Sequence, residues 1–199
     1  MFELPTSIEV DGVEYHITDD GDFRMVLDCF KALNDAELNE LERLVASAII
    51  FFSDFDSVED INKLPDGVYG KLIEGMNKFF NCGEDQTVGM RVQYKVIDWE
   101  DDSQLIASAV NRVYGKEIRS ERYVHWWTFM GYFMAIGESP LATIVNIRGK
   151  IAKGKTLEKY EQEFKRENPQ YFNWNPMTVQ QMEADEYARS LWNRDSGEE

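Results

Sequence analysis

The chain has 199 residues, 43% of them hydrophobic, enough to bury one sizeable core, and a formal net charge of -16. That charge repels phosphate backbones and argues against nucleic acid as the main ligand, and the longest strongly apolar run, residues 44–52, is far shorter than the roughly 20 residues needed to cross a bilayer. The opening residues lack the charged and apolar regions of a secretory signal, and Cys29 and Cys82 form neither a CxxC pair nor a zinc spacing. A cytoplasmic protein with two buried thiols, no cofactor and no structural metal is therefore expected.

The charge is unevenly spread. Residues 1–102 hold 24 acidic and 8 basic side chains, whereas residues 103–199 hold 13 of each. Within the second half, residues 148–166 carry 7 basic and 3 acidic side chains, the one stretch suited to an anionic partner.

In chain order, Ser7 to Val10 and Val13 to Ile17 flank Asp11-Gly12, a dipeptide that tolerates positive φ at both positions and so predicts a two-residue hairpin. Val10 then faces Val13 and Ile8 faces Tyr15, giving an apolar face, while Glu9 opposes Glu14 at some electrostatic cost. A hairpin alone is marginal and must pack on something; a helix through Phe23, Val26, Leu27 and Phe30, with Asp22 as its N-cap, is the expected partner. Asn34 with Glu37 resembles a capping box for a second helix, striped by Leu38, Leu41, Val45, Ala48, Ile49 and Phe52. A third helix is predicted from near Pro65 through Leu72, Met76 and Phe79.

Alternating apolar and polar residues over 88–96 read as a strand, which leaves open a small three-stranded sheet. Helical spacing returns with Ile106, Ala109, Val110 and Val113, ending at Gly115. The segment 123–136 is apolar almost all round and predicts a central helix. Ser139-Pro140 opens another helix, Thr156 is placed to cap one through Tyr160 and Phe164, and residues 178–193 suit a last one. The fold class is thus mainly α with an N-terminal β-hairpin, in a single domain: residues 1–154 as its body and 155–199 as a helical extension.

Residues 54–60 fail the calcium-loop pattern, since Val58, Glu59 and Pro65 stand where a ligand, a glycine and a glutamate are required. The two histidines, His16 and His125, sit beside no nucleophile, and no common hydrolase, nucleotide-binding or zinc-enzyme motif occurs. Trp126-Trp127 could stack nucleic-acid bases, but a tryptophan pair in so apolar a helix reads as core.

Val124-His125-Trp126-Trp127-Thr128-Phe129 resembles the His-Trp-Trp-x-Phe signature of the bacteriophage gene-product-fifteen family of siphophages and prophages of Gram-positive bacteria. Leu4-Pro5-Thr6, Asp22-Phe23-Arg24, Tyr114-Gly115 and Ile147-Arg148 follow the same family order; Val124 stands in place of a leucine, and 145–149 follows the pattern loosely. The resemblance implies a non-enzymatic tail-assembly factor in the host cell cytoplasm, a chaperone of the tape-measure protein that also meets tail tube protein, with self-association left open. His125, Trp126, Trp127, Phe129 and Arg148 are the motif residues it singles out, for structure or partner binding, and it transfers no catalytic residue. An acidic DNA mimic inhibiting a host protein and a structural component of the tail or head-tail joint are the rival readings.

Overall fold

The computed structural model describes residues 3–84 and 95–176. Among them are a two-stranded antiparallel sheet, β1 (Ser7–Val10) and β2 (Val13–His16), and eight α-helices: α1 (Phe23–Leu33), α2 (Glu40–Phe51), α3 (Val58–Asn62), α4 (Val68–Phe80), α5 (Ser103–Tyr114), α6 (Trp126–Met134), α7 (Pro140–Ala152) and α8 (Lys159–Glu167). The mainly helical class with an N-terminal hairpin is as the sequence predicts. The strand expected over 88–96 and the helix over 178–193 fall, but for Lys95 and Val96, outside the described residues.

The hairpin has the anticipated register, with Val10 opposite Val13, Ile8 opposite Tyr15 and Glu9 opposite Glu14. Asp11 (φ 53°) and Gly12 (φ 80°) supply the two positive dihedrals of the turn. Its packing differs from expectation: Val13 is exposed, and the sheet rests on α4 and the end of α2 instead of α1. Ile8 lies over Gly75 of α4, where an added Cβ would come within 2.7 Å of its Cγ2, so α4 admits the strand only because a glycine is there. Tyr15 meets Phe52 and Phe55 with ring centroids 6.3 and 5.9 Å apart.

Two helix starts lie further on than the sequence suggests. Asn34 ends α1, its side-chain amide donating to the Phe30 carbonyl, and the capping box of α2 is formed by Asn39 and Glu42. The buried face of α2 turns accordingly to Ala48 and Phe51, with Ser47, and leaves Leu41 exposed. Likewise Glu158 and Glu161, not Thr156, cap α8. The third predicted helix begins at Val68, after Pro65 and Gly67 have turned the chain, and the short α3 precedes it.

The core gathers Val26 from α1, Phe51 and Phe52 around the end of α2, Leu72, Met76 and Phe79 from α4, Val110 from α5, and Trp126 and Phe129 from α6. Cys29 is buried among them, and the apolar surroundings push its thiol up to about 12; Cys82 is only half-buried. The all-round apolar helix is narrower in effect than predicted, since α6 buries Trp126 and Phe129 while Met134 is 76% exposed.

Candidate functional site

Two motif pieces that lie far from the signature in the chain, Leu4-Pro5-Thr6 and Asp22-Phe23-Arg24, meet it around the start of α6. Asp22, itself buried, accepts from the Arg24 and Val124 amides at 3.0 and 2.9 Å and from Arg24 Nη1 on both carboxylate oxygens at 3.0 Å. Arg24 in turn donates to the carbonyls of Arg119 and Glu121, and its guanidinium lies 4.5 Å from the Phe23 ring centroid. The Phe23 amide donates to the Val124 carbonyl at 2.9 Å, so the start of α1 and the start of α6 are stitched side by side. Phe23 and Phe129 complete the joint as parallel rings 4.5 Å apart.

His125 is the N-cap of α6. Its Nδ1 accepts from the Trp127 amide at 3.0 Å, which requires the proton on Nε2, and Nε2 is 3.0 Å from the Pro5 carbonyl, to which it donates. One imidazole thus ties the Leu4-Pro5-Thr6 segment to the signature helix. Gly21 makes room for it: with φ +79°, a Cβ there would stand 2.7 Å from the Phe79 ring and 3.0 Å from His125 Nε2.

The two tryptophans act as paired hydrogen-bond donors at the end of α4. Trp126 Nε1 donates to the Phe80 carbonyl at 3.0 Å and Trp127 Nε1 to the Phe79 carbonyl at 2.9 Å, engaging carbonyls of the last helical turn. Trp126 is buried and Trp127 half-buried, so the core reading of the pair holds over a base-stacking platform.

Burial lowers the pKa of His125 against the opposing pulls of the Pro5 hydrogen bond and the Asp22 charge. Protonating Nδ1 would also set an N–H against the Trp127 amide. Because the folded-state value lies below the ordinary 6.5, the unfolded chain binds more protons between the two, and stability should fall as pH drops below 6.5 and level off once it passes the folded-state value. Melting temperatures measured between pH 8 and about 5 are expected to show this slope, and His125→Asn, which keeps a capping side chain, should flatten it. An unchanged slope in the variant would place the titration elsewhere.

Arg148 sits apart from the His-Trp-Trp joint, on α7. It forms a buried two-pronged ion pair with Asp102, at 2.5 and 3.0 Å, with side chains 3% and 1% exposed. Its Nε also donates to the Tyr171 carbonyl at 2.8 Å and Nη1 to the Val96 carbonyl at 3.2 Å, while Trp174 covers the guanidinium at 5.2 Å. This arginine therefore joins α5, α7 and the chain on either side of them. The basic stretch 148–166 loses its first cation to that pair, and Lys150 is engaged by Glu161 at 2.6 Å. Nothing in the spacing of the sequence marks Asp102 or Glu161 as these partners.

One surface feature that the sequence did not reveal is a groove of about 660 Å³. Its apolar floor is Leu27 and Phe30 of α1 with Trp99, and its rim carries Asp28, Asp35 and Glu37. The floor is backed by the core: Phe30 lies 5.0 Å from Phe80 and 5.6 Å from Trp126, and Trp99 lies 5.9 Å from Trp126. Among the described residues, no three His, Cys, Asp or Glu side chains are placed to hold a metal ion, and no helix is long and apolar enough to cross a membrane.

A family model described as "Bacteriophage Gp15 protein" matches residues 1–172. No curated protein and no solved structure matches the chain.

Proposed function

The chain belongs to the bacteriophage Gp15 protein family, and from that premise we propose that it is a non-enzymatic phage assembly factor that keeps the tape-measure protein soluble in the host cytoplasm. The observation that carries this reading is the groove beside α1, in which half-buried Leu27, Phe30 and Trp99 form an apolar floor within a charged rim. A tape-measure protein is a long amphipathic helix that exposes apolar stripes before the tail tube surrounds it, and such a groove is the complement of one stripe. Half-exposed Met130 and exposed Met134 on α6 add adaptable apolar surface of the kind that accommodates varied helices. Tail tube protein is then the competitor that takes over the tape measure as the chaperone leaves.

The family signature fits a supporting role in this scheme. His125, Trp126, Trp127, Phe129 and Arg148 are all engaged in holding elements together, and their side chains converge on no reactive group. Through Trp126 the signature also backs the groove floor.

Co-expression with the tape-measure protein of the same phage is expected to keep that protein soluble and to yield a complex on affinity purification. Apolar contact should supply most of the affinity, so the complex should survive about 1 M salt, where the Debye length falls to about 3 Å. Failure to co-purify at low salt sinks the chaperone reading. Recovery of the protein in purified particles, in stoichiometric amount, would instead identify a structural component of the virion.

A further inference from the structure

We propose that the groove selects its occupant by charge, taking an amphipathic helix whose apolar stripe is flanked by lysine or arginine and discriminating against the same stripe flanked by acids. This rests on the reading of the groove as the docking surface for a helical partner and adds to it the chemistry of that partner.

Five carboxylates and two amines line the groove. The amines are already matched: Lys31 Nζ stands 3.1 Å from Glu100 Oε1, and Lys95 Nζ stands 2.7 Å from Asp98 Oδ2. Neither lysine of the groove pairs with Asp28, Asp35 or Glu37, and the buried Arg43 reaches this turn through its Nε, which donates to the Asp35 backbone carbonyl at 2.6 Å. Asp28 projects from α1 beside Leu27, and Asp35 and Glu37 come from the turn that leads to α2, so the three carboxylates that the groove's lysines do not engage lie along one stretch of chain bordering the floor. Asp35 Oδ1 accepts from the Glu37 amide at 2.9 Å, a bond that orders this turn and leaves its charge in place.

The floor itself is preformed. Phe30 is wedged between Phe80, Trp99 and Trp126, and Trp99 also meets Phe133 at 5.2 Å, so the apolar surface need not rearrange to receive a side chain. An entering helix would set leucine or phenylalanine on Leu27, Phe30 and Trp99, and the residues flanking its stripe would then face the carboxylates. Opposite charges there speed encounter and fix orientation, and like charges oppose docking. The same rim disfavours an anionic strand of nucleic acid as occupant.

The test uses two fluorescent synthetic peptides of about 18 residues, roughly 27 Å as helix, with one shared leucine stripe and either lysine or glutamate flanks. The lysine peptide is expected to bind the intact protein about tenfold more tightly at low salt, with the difference vanishing near 1 M. The isosteric variant Asp28→Asn, Asp35→Asn, Glu37→Gln should bind both peptides equally. Leu27→Gln, or the milder Leu27→Ala if the first melts early, should weaken both.

Equal binding to the parent protein, or discrimination that persists in the neutralised variant, overturns the charge selection; so does lysine-peptide binding indifferent to Leu27, which would mean attraction to the acidic surface at large. The two readings fail separately. A discriminating groove whose protein never retains the tape measure refutes the assigned function alone, whereas a soluble tape-measure complex indifferent to peptide charge refutes the selection alone.

Discussion

Replacing Trp126 with alanine is expected to lower the melting temperature by on the order of 10 °C. The side chain is 1% exposed, and its loss removes the face on which Phe30 and Trp99 rest. Its indole also donates to the Phe80 carbonyl, so truncation leaves that acceptor to find another partner. Truncating a buried tryptophan costs about 3–5 kcal/mol, and a chain of this length loses roughly 2–4 °C per kcal/mol. Trp127→Ala should cost less, because that ring is half-buried. Thermal denaturation followed by circular dichroism reads both, and two unchanged midpoints would return the pair to the surface and revive the platform reading.

The second large effect is expected at the Arg148–Asp102 pair. Removing either partner strands a charge in an environment where both side chains are almost wholly buried, at a cost of about 3–5 kcal/mol. Arg148→Met and Asp102→Leu should each melt far below the parent protein. Together they should recover part of the loss, since neither charge is then left alone. Recovery should be incomplete, because the carbonyls of Tyr171 and Val96 lose the guanidinium as a donor whichever residue replaces it. A double variant no more stable than the worse single one would mean that these carbonyl contacts, and not the paired charge, dominate the site.

On the proposed reading of the groove as a docking surface, these effects bear on partner binding. Trp126 supports its floor directly, and Trp99 lies three residues ahead of Asp102 in the segment that Arg148 ties down at Val96 and Asp102. Loss of partner binding in Trp126→Ala therefore reports a collapsed floor, while the same loss in Leu27→Gln reports the contact surface itself.

The family signature was legible in the sequence. Its wiring was not. That His125 reaches Pro5, that Asp22 receives the Val124 amide, and that both tryptophans serve the end of α4 are pairings across 46 to 120 residues of chain. Asn39-x-x-Glu42 satisfies the same capping rule as Asn34-x-x-Glu37, so local pattern alone could not choose between them; where α1 ends decides it.

What the sequence determines by itself is set by neighbours a few residues apart. Asp11-Gly12 forces the hairpin and its register because few residue pairs accept two positive φ values. Asp22 starts α1, and Ser139-Pro140 starts α7, because a side-chain acceptor and a fixed φ satisfy the first helical turn locally. The tertiary structure decides what each apolar face meets. It sends the hairpin to α4, where Gly75 leaves space for Ile8, turns Leu41 and Met134 outward, and hides Arg148 against Asp102. It alone brings Leu27 and Phe30 beside Trp99, because apolar burial is indifferent to sequence separation and is settled by which surfaces fit once the helices pack.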